Sequence, residues 1–455
     1  MITQFVNREV ELKALNNAYQ KPFFSFYPIY GRRRVGKTEL IKQFIQDKSY
    51  IYFLATEGTE KENVMNFKKA AKNVVDLSMI KDDFEEIFKY ISEHIKEKII
   101  IVIDEFPFLV KANKNISSKF QYIIDEYLSK TNMFLILCGS SVGMMYKEVL
   151  GYRAPLYGRR TGQIELHPLR FRDVKALLNK PIKECIKIYG VCGGIPFYLK
   201  EFVEQKDFFQ LIKEKVLSRD ALLNKEAIFI LREELEEISR YASIIGAIAL
   251  GNTKLGEIMN HCGFREKLNI TPYLNVLEGL GIIKRETPIT HKRNTRGIYQ
   301  IKDQFFNFYF RYIRPNESLT EDNIDSILTN IKKDYNTYLG TIFEKISKEF
   351  IMSKHSFSKI GRWWHKDQEI DLVALNEHTK EIMFFECKWK KLGYQQCLKI
   401  LEELQEKAGF VEWFNEQRQE HYGVIAKKIE NKEDLKKEGF LVYDLEDFDK
   451  TKFKK

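Results

Sequence analysis

The 455-residue sequence contains few of the residues that mark specialised protein classes. Six cysteines, ten prolines and 24 glycines are too few for a disulfide scaffold or a fibrous, low-complexity chain. The longest apolar stretches, such as residues 242–251, are shorter than the roughly 18 residues that a membrane-spanning helix needs. The first residues lack the basic flank and apolar run of a secretory signal. We therefore expect a cytoplasmic protein with no membrane partner.

The sequence is instead rich in apolar and charged residues, which make up 44% and 30% of the chain. That balance is typical of a globular protein, and the length suggests about three domains at roughly 150 residues each. The net charge is +10, and residues 281–315 alone carry eight lysines and arginines against two acids. A basic excess confined to one segment is compatible with an acidic partner such as nucleic acid.

Apolar runs alternate with helical patterns over the first 170 residues. Residues 23–30, 50–54, 98–103 and 133–138 are continuous apolar or β-branched runs, the pattern of strands buried on both faces of a parallel sheet. The intervening segments have helical spacing. This alternation predicts an α/β fold with a parallel, doubly wound sheet.

A complete phosphate-loop motif, GxxxxGK[ST], follows the first predicted strand and begins a helix. In this setting the backbone N–H groups surround a phosphate, the lysine reaches the β- and γ-phosphates, and the threonine hydroxyl binds Mg²⁺. We therefore predict ATP and Mg²⁺ as cofactors. The predicted nucleotide-binding residues are Gly31, Arg32, Arg33, Arg34, Val35, Gly36, Lys37 and Thr38.

Polar residues at the ends of later strands extend this predicted site. Asp104 ends the third strand and would hold the magnesium shell together with Thr38, while Glu105 would polarise the attacking water. Ser140 follows the next strand and would position water or contact the γ-phosphate, although its neighbour Ser141 equally suits a helix N-cap. Arg159 is a candidate arginine finger that would act in cis or on a neighbouring subunit. Lys37, Glu105, Ser140 and Arg159 form the predicted catalytic set.

These motifs, together with Phe5–Glu9 and the Gly-Gly-Ile-Pro turn at 193–196, stand in the order found in archaeal-type P-loop ATPases. Residues 1–220 resemble the AAA+ and STAND branches of that group. The resemblance implies that Phe5–Glu9 lies near the nucleotide base and that the turn starts a helix of a lid. Residues after 335 look like the C-terminal domain of unknown function often joined to such ATPases.

The middle of the chain has the rhythm of a winged helix: a helix, a turn, a second helix and a β-hairpin around residues 282–301. Lys292, Arg293 and Arg296 would then lie at the wing tip and contact the phosphates of double-stranded DNA. The alternative is a winged helix used for protein contact or autoinhibition.

Carboxylates and a lysine in the last third are spaced as in PD-(D/E)XK nucleases. Glu386 and Lys388 lie at i and i+2 of a predicted strand and so face one side, Asp371 begins the preceding strand, and Glu344 lies on an upstream helix. Such a set holds Mg²⁺ beside a scissile phosphate, with Asp371 and Glu386 as metal ligands. The alternative is a nuclease-like fold that binds without cleaving.

The sequence therefore predicts an ATPase domain with a helical lid over 1–220, a winged-helix domain over 221–320 and a nuclease-like α/β domain over 321–455. The predicted function is Mg²⁺-dependent ATP hydrolysis that couples nucleotide state to DNA binding. The rivals are an ATP-regulated DNA endonuclease and a STAND-like signalling or scaffold ATPase with protein-binding C-terminal domains. Whether the chain forms a homo-oligomer stays open.

Overall fold

The structure is a computed structural model that describes residues 5–264, 269–290, 297–319 and 323–450. Its first part is built on a five-stranded parallel sheet with the strand order β2-β3-β4-β1-β5. These strands are β1 (Ser25–Tyr30), β2 (Tyr50–Leu54), β3 (Ile100–Asp104), β4 (Phe134–Gly139) and β5 (Ile164–Glu165). The prediction of an α/β fold with a parallel sheet is confirmed.

Helices cover both faces of this sheet, which explains why its central strands are apolar throughout. Along β3, Ile100 and Val102 pack on one face while Ile101 and Ile103 pack on the other. The helices that precede or follow these strands are α1 (Glu9–Tyr19), α2 (Lys37–Ile45), α3 (Glu60–Ala71), α4 (Phe84–His94), α5 (Phe106–Ala112), α6 (Ile116–Glu126) and α7 (Val142–Met145).

Local sequence explains where these helices begin. Thr59 and Glu62 form a capping box at the start of α3, and the Asp83 side chain accepts the backbone N–H of Glu85 at the start of α4. In α4 the buried residues recur at helical spacing, at Phe84, Ile87, Phe88 and Ile91.

A helical segment follows the sheet. It contains α8 (Phe171–Leu178), α9 (Ile182–Cys192), α10 (Pro196–Lys200) and α11 (Phe208–Ile212). Gly194 lies against Leu169, whose N–H donates to the Gly194 carbonyl over 2.7 Å, and a Cβ at this position would lie 1.8 Å from the Leu169 carbonyl oxygen. The turn between α9 and α10 therefore requires glycine.

The middle of the chain consists of helices and one antiparallel hairpin. The helices are α12 (Glu226–Glu234), α13 (Ile238–Ala249), α14 (Leu255–His261) and α15 (Thr271–Gly279), followed by the strands β6 (Ile283–Glu286) and β7 (Ile298–Ile301) and by α16 (Gln304–Phe308). This element order is the one that a winged helix requires; the winged-helix assignment itself stays a prediction. Lys292, Arg293 and Arg296 lie outside the described residues.

The last part has a separate five-stranded mixed sheet with the order β12-β11-β10-β9-β8. Its elements are the long helix α17 (Ile324–Lys354), β8 (Lys359–His365), β9 (Gln368–Asn376), β10 (Glu381–Leu392), α18 (Tyr394–Ala408), β11 (Gln419–Ile429), α19 (Lys432–Lys437), β12 (Leu441–Asp444) and α20 (Leu445–Lys450). Strands β8 to β10 pair antiparallel, and β10 to β12 pair parallel.

The apolar core runs continuously from the first sheet through α9 and α17 to the second sheet. Five of the six cysteines are buried and all six are free thiols, as expected from their spacing. Among the described helices, none combines the length and the apolar character needed to cross a bilayer.

Candidate functional site

The phosphate loop joins the end of β1 to the start of α2. Gly36 adopts a left-handed conformation with φ of 99° directly before the helix, which turns the backbone N–H groups of the loop toward the N-terminus of α2. That helix end carries partial positive charge and free N–H donors, so it is a site for an anion.

Lys37 is buried, with an exposed fraction of only 6%. Its ammonium donates to the carbonyl oxygens of Gly31 and Arg32 over 2.9 and 3.1 Å. Burial lowers the pKa of Lys37. Nearby carboxylates such as Glu105 and Asp104 act in the opposite direction and raise this pKa. The loop carbonyls therefore hold the Lys37 ammonium beside the N-terminus of α2, where it could bind a phosphate.

Thr38 and Asp104 are brought together as the sequence predicted. The Thr38 hydroxyl donates to Asp104 Oδ2 over 2.9 Å, and the phenol of Tyr52 donates to the same oxygen over 2.5 Å. Mg²⁺ prefers one or two carboxylate or hydroxyl oxygens and keeps its other ligands as water, so this pair fits a magnesium site beside bound phosphates.

Glu105 follows Asp104 in a left-handed conformation with φ of 56°. Both the backbone N–H and the hydroxyl of Ser140 donate to the Glu105 carboxylate. Ser140 therefore contacts the predicted general base. The neighbouring Ser141 caps α7 by accepting the Met144 N–H over 3.3 Å, so the N-cap interpretation holds for that residue.

Three arginines of the phosphate loop contact elements far along the chain. Arg32 pairs with Asp303 just before α16, Arg33 pairs with Glu233, and Arg34 pairs with Glu226 over 3.1 Å. The Arg34 guanidinium also stacks over the Phe197 ring at 4.1 Å. The loop is thus tied to α10, α12 and α16 through its own cations.

Helix α12 ends against the same edge of the sheet. The carboxylate of Glu234 accepts the Ser141 hydroxyl over 3.1 Å. Burial raises the pKa of Glu234. Hydrogen bonds from Ser141, Gly143 and Val142 act in the opposite direction and lower this pKa. Acidic side chains of α12 therefore lie where the phosphates of a nucleotide would bring further negative charge.

Arg159 is not brought to the phosphate loop of its own chain. It forms a two-pronged ion pair with Asp125, at 2.8 to 3.2 Å, near the carboxyl end of α6. Two residues later, Thr161 pairs with Phe26 at the amino end of β1, whereas the phosphate loop follows the carboxyl end of that strand. The geometry is against a finger in cis, and a role in trans stays a prediction.

The segment Phe5–Glu9 links the loop to the helical segment that follows the sheet. The Arg8 guanidinium donates to the carbonyl oxygens of His167 and Val35 over 2.6 and 3.3 Å, and the Asn7 amide donates to Asp173 over 2.7 Å. That Phe5–Glu9 lies near the nucleotide base stays a prediction.

The predicted nuclease-like residues of the last sheet lie close together. Lys388 Nζ lies 2.6 Å from Glu386 Oε2 and 3.4 Å from Asp371 Oδ2. Asp371 also accepts the backbone N–H of Cys387 over 2.8 Å, because β9 and β10 pair antiparallel beside it. Lys407 reaches the other Glu386 oxygen from α18 over 2.7 Å.

Burial and mutual repulsion shift the protonation of these acids. Burial raises the pKa of Asp371 to about 6, with a further rise from Glu386. Burial and the Asp371 charge raise the pKa of Glu344 to about 7. Burial opposes the ionisation of Glu386, yet the two lysines bring its pKa below the ordinary value. Perturbed, grouped carboxylates of this kind are typical of functional sites.

The donor set of this second site fits a hydrated Mg²⁺ with Asp371 and Glu386 as its carboxylate ligands. Ion pairs with Lys388 and Lys407 stabilise the ionised carboxylate of Glu386. Within the described ranges, no group of three or more His, Cys, Asp or Glu side chains is placed to hold a metal ion. Any ion would therefore depend on water or substrate oxygens for most of its shell.

Three of the five cations that the structure describes within residues 281–315 pair with acids. Arg311 pairs with Asp334 over 2.8 Å, Arg314 pairs with Glu317, and Lys284 pairs with Glu286. Charge counted along the sequence thus overstated the free positive surface, because acids close in the sequence or on α17 pair with three of these side chains.

Several residues of both sites were missed by sequence reasoning. Tyr52 and Glu234 contact the predicted nucleotide site, but in the sequence they resemble an ordinary strand aromatic and an ordinary helical acid. Lys407 gave a weak signal, as a lysine on the helix after the Glu-x-Lys strand. Only the fold brings these side chains to their partners.

Comparison with known families agrees with the first part of this picture. Residues 5–202 match an ATPase domain found predominantly in Archaea, and residues 309–400 match a family of archaeal and bacterial proteins of unknown function. The expected nuclease-like nature of the C-terminal domain receives no support from this second match.

Individual relatives extend the match. An uncharacterized protein of Methanocaldococcus jannaschii is 43% identical over 454 residues, covering 98% of this chain and 100% of the relative. An uncharacterized ATP-binding protein of the same organism is 47% identical over 47 residues, 10% of this chain and 80% of the relative.

The solved structure of a Walker-type ATPase from Pyrococcus abyssi aligns with a TM-score of 0.53 and 22% identity, covering 68% of this chain and 96% of that chain. This likeness supports the P-loop ATPase fold. The chain belongs to the same family as the full-length uncharacterized M. jannaschii protein, and its ATPase domain makes it an archaeal-type ATPase.

Proposed function

We propose that this protein is a magnesium-dependent ATPase that couples its nucleotide state to DNA binding at the nuclease-like site. The observation that carries the proposal is helix α17, which contacts the helical segment beside the ATPase sheet and the nuclease-like site with the same rigid element. With 31 residues, the helix spans about 46 Å at 1.5 Å per residue. Under this proposal the chain divides near residues 220 and 320.

The first half of α17 packs against α9. The phenols of Tyr335 and Tyr338 donate to the carbonyl oxygens of Lys187 and Gly190 over 2.6 and 2.7 Å. Both tyrosines are 2% exposed, so these hydrogen bonds are shielded from water. A rotation of α9 must therefore either move α17 or break buried hydrogen bonds.

The second half of α17 reaches the last sheet. It carries Glu344, about two turns after Tyr338, and the carboxylate of Glu344 lies 4.0 Å from the Arg362 guanidinium of β8. Glu349 accepts the Phe171 N–H over 2.9 Å at the start of α8. One helix thus links α8 and α9 to an acid of the nuclease-like site.

The phosphate loop supplies the other end of this linkage. Its three arginines pair with α12 and with the start of α16. A bound triphosphate would draw the same guanidinium groups toward itself, because phosphate is a strong bidentate partner of arginine. Nucleotide binding would thereby loosen α12 and α16 from the loop.

Magnesium would be held by Thr38 and Asp104 beside ATP, and by Asp371 and Glu386 in the C-terminal domain. In each place the ion would neutralise charge on a phosphate. Glu105 would orient water for ATP hydrolysis, and Lys388 would steady the charge on a phosphodiester.

A DNA endonuclease is the second candidate, favoured by the convergence of Asp371, Glu386 and Lys388 within 3.4 Å. DNA binding alone does not require a lysine such as Lys388 beside two acids, whereas cleavage of a phosphodiester at such a site does. The contacts of Glu386 with Lys388 and Lys407 equally suit a site that has kept the fold without cleavage.

The test measures DNA affinity as a function of nucleotide. A labelled 30-base-pair duplex is titrated with the protein in MgCl₂, with ATPγS, with ADP or with no nucleotide. We expect the affinity with ATPγS and ADP to differ by at least about fivefold, a coupling of about 1 kcal/mol. Plasmid incubation with Mg²⁺ or Mn²⁺ tests cleavage in parallel, with Asp371→Ala as the control.

The coupling itself is tested with the double variant Tyr335→Phe/Tyr338→Phe. It keeps both rings but removes the two hydrogen bonds to α9, and we expect the ATPγS and ADP affinities to become equal. The matched control is Tyr299→Phe, in β7. Equal affinities in the unaltered protein would contradict the proposed coupling.

A further inference from the structure

A cavity of about 320 Å³ lies between the β6–β7 hairpin, α17 and the last sheet. Its size is at the lower end of pockets that hold a small molecule. The acids Glu344 and Asp371 of the nuclease-like site line one end of it, so the cavity opens directly onto those side chains.

Three lysines also line the cavity. Lys284 projects from β6, while Lys345 and Lys348 project from α17 one turn apart. Lys345 donates to the Ile301 carbonyl over 3.0 Å, and Lys348 has no hydrogen bond or ion pair within the described part of the chain. Glu286 pairs with Lys284, and Glu344 lies next to Lys345 on α17.

Burial and mutual repulsion disfavour the charged forms of these lysines, and the acids in the lining offset this only in part. Burial first, and then the charge of Lys284, lowers the pKa of both Lys345 and Lys348. Arg362 and Arg311 also line the cavity, but Arg362 pairs with Glu369 and Glu344 over 3.2 and 4.0 Å and Arg311 pairs with Asp334. A phosphate would relieve the repulsion between the lysines and satisfy their donors.

The hairpin also restricts what enters. The backbone N–H of Ile289, beyond β6, donates to the Arg362 carbonyl of edge strand β8 over 3.0 Å, which fastens the hairpin to the last sheet. The ligand must therefore fit a cavity of about 320 Å³, which has no room for a continuous duplex.

We propose that this cavity binds one nucleotide unit of an unpaired DNA strand, with its phosphate on Lys284, Lys345 and Lys348 and its neighbouring phosphodiester at Asp371 and Glu386. The proposal rests on the proposed function in taking DNA as the ligand. It defines the substrate of the nuclease-like site as a single strand, a frayed end or a flap.

The test uses the full-length protein in EDTA, where no metal supports cleavage, and a fluorescein-labelled 12-nucleotide thymidylate strand. The variant Lys345→Met/Lys348→Met removes two cavity charges while keeping the aliphatic stems. The matched control Lys332→Met/Lys333→Met removes two exposed charges from the same helix. Circular dichroism melting verifies that each variant folds.

We expect the cavity variant to bind the strand about tenfold or more weakly and with a salt slope lower by about 0.7 for each phosphate that its side chains no longer neutralise. The control should bind within twofold of the unaltered protein. Unlabelled single strand should compete far better than duplex of equal phosphate content, thymidine monophosphate or inorganic phosphate.

Equal affinity of the cavity variant and the control would overturn the proposal. Duplex that competes as well as single strand would also overturn it. So would thymidine monophosphate that competes at concentrations where unlabelled strand does not, because that result identifies a free nucleotide as the ligand. Strand binding that ignores ATPγS and ADP would count against the proposed coupling while supporting the cavity. The two failures are therefore distinguishable.

Discussion

At the residue scale, the phosphate-loop lysine shows how the loop and its cation depend on each other. The Lys37 ammonium uses the Gly31 and Arg32 carbonyls as substitutes for phosphate oxygens. A buried ammonium without such acceptors would be unfavourable, so the loop conformation and the lysine depend on each other. Asp104 is held in a similar way, because Thr38 and Tyr52 keep its carboxylate hydrogen-bonded.

Lys37→Ala and Glu105→Gln should separate binding from hydrolysis. We expect Lys37→Ala to weaken Mg-ATP binding by about 100-fold because a charge-assisted hydrogen bond to the phosphates is removed. Glu105→Gln should bind ATP with nearly unchanged affinity and lower kcat by about 10² to 10⁴, the range for removal of a general base. Calorimetric titration and phosphate release measure the two effects.

Lys42→Ala, exposed on the same helix α2, is the control for the lysine change. Hydrolysis by Lys37→Ala at the rate of the unaltered protein would show that the nucleotide site has been assigned to the wrong residues.

The raised carboxyl pKa values predict a pH dependence of stability. Because the folded pKa of Asp371 is about 6 and that of Glu344 about 7, both acids hold protons more tightly in the folded than in the unfolded protein. Their contribution to stability is therefore full below about pH 4 and is lost as the pH rises through 6 to 7. In EDTA, Glu344→Gln should be more stable than the unaltered protein at pH 8, on the order of 1–2 kcal/mol, and equal at pH 4.

Chemical denaturation at both pH values measures this difference, and Glu381→Gln at the start of β10 serves as the control. A difference of the same size at both pH values would refute the assignment of the effect to the ionisation of Glu344.

At the element scale, α12 is the feature that sequence periodicity did not single out. Its helical pattern predicted an ordinary helix, and nothing in its spacing shows that Glu226 and Glu233 reach the phosphate-loop arginines, about 200 positions earlier in the chain. By contrast α2, β3 and α4 could be predicted, because capping residues and buried periodicity are properties of neighbouring residues.

Removing one carboxylate of α12 should favour nucleotide binding. In Glu233→Ala, Arg33 no longer has its partner, so a phosphate gains that guanidinium without competition. The pair is half exposed and such pairs contribute roughly 0–1 kcal/mol, so we expect ATP to bind up to about fivefold more tightly. Calorimetric titration measures the affinity.

Glu236→Ala is the matched control, because it removes the same charge from an exposed position just after α12. Weaker ATP binding by Glu233→Ala than by this control would mean that α12 supports the nucleotide site instead of competing for it.

At the scale of the whole molecule, one apolar core connects the first sheet, the helices of the middle part and the last sheet. The described cations of residues 281–315 mostly pair with acids or line the cavity. Arg285 and Lys302 are exposed, and Lys292, Arg293 and Arg296, the predicted contacts with DNA, lie outside the described residues.

Replacing Lys292, Arg293 and Arg296 with alanine tests that contact. If each side chain neutralises one phosphate of duplex DNA, the slope of log affinity against log salt should fall by up to about three units. Filter binding across a series of salt concentrations measures the slope, with Lys427→Ala as a single-charge control on the last sheet. An unchanged slope would remove the wing from the DNA contact.

Sequence alone determined the phosphate loop, the Asp104-Glu105 pair, the parallel sheet and the grouping of Asp371, Glu386 and Lys388. Each depends on spacing within one element or between neighbouring strands, which the backbone geometry translates directly into proximity. Only the tertiary structure decided that Arg159 lies away from its own phosphate loop, that α12 faces the loop arginines, and that Lys284, Lys345 and Lys348 share a cavity with Glu344. These contacts join segments tens to hundreds of residues apart, and their existence depends on how the three parts pack, which no local pattern encodes.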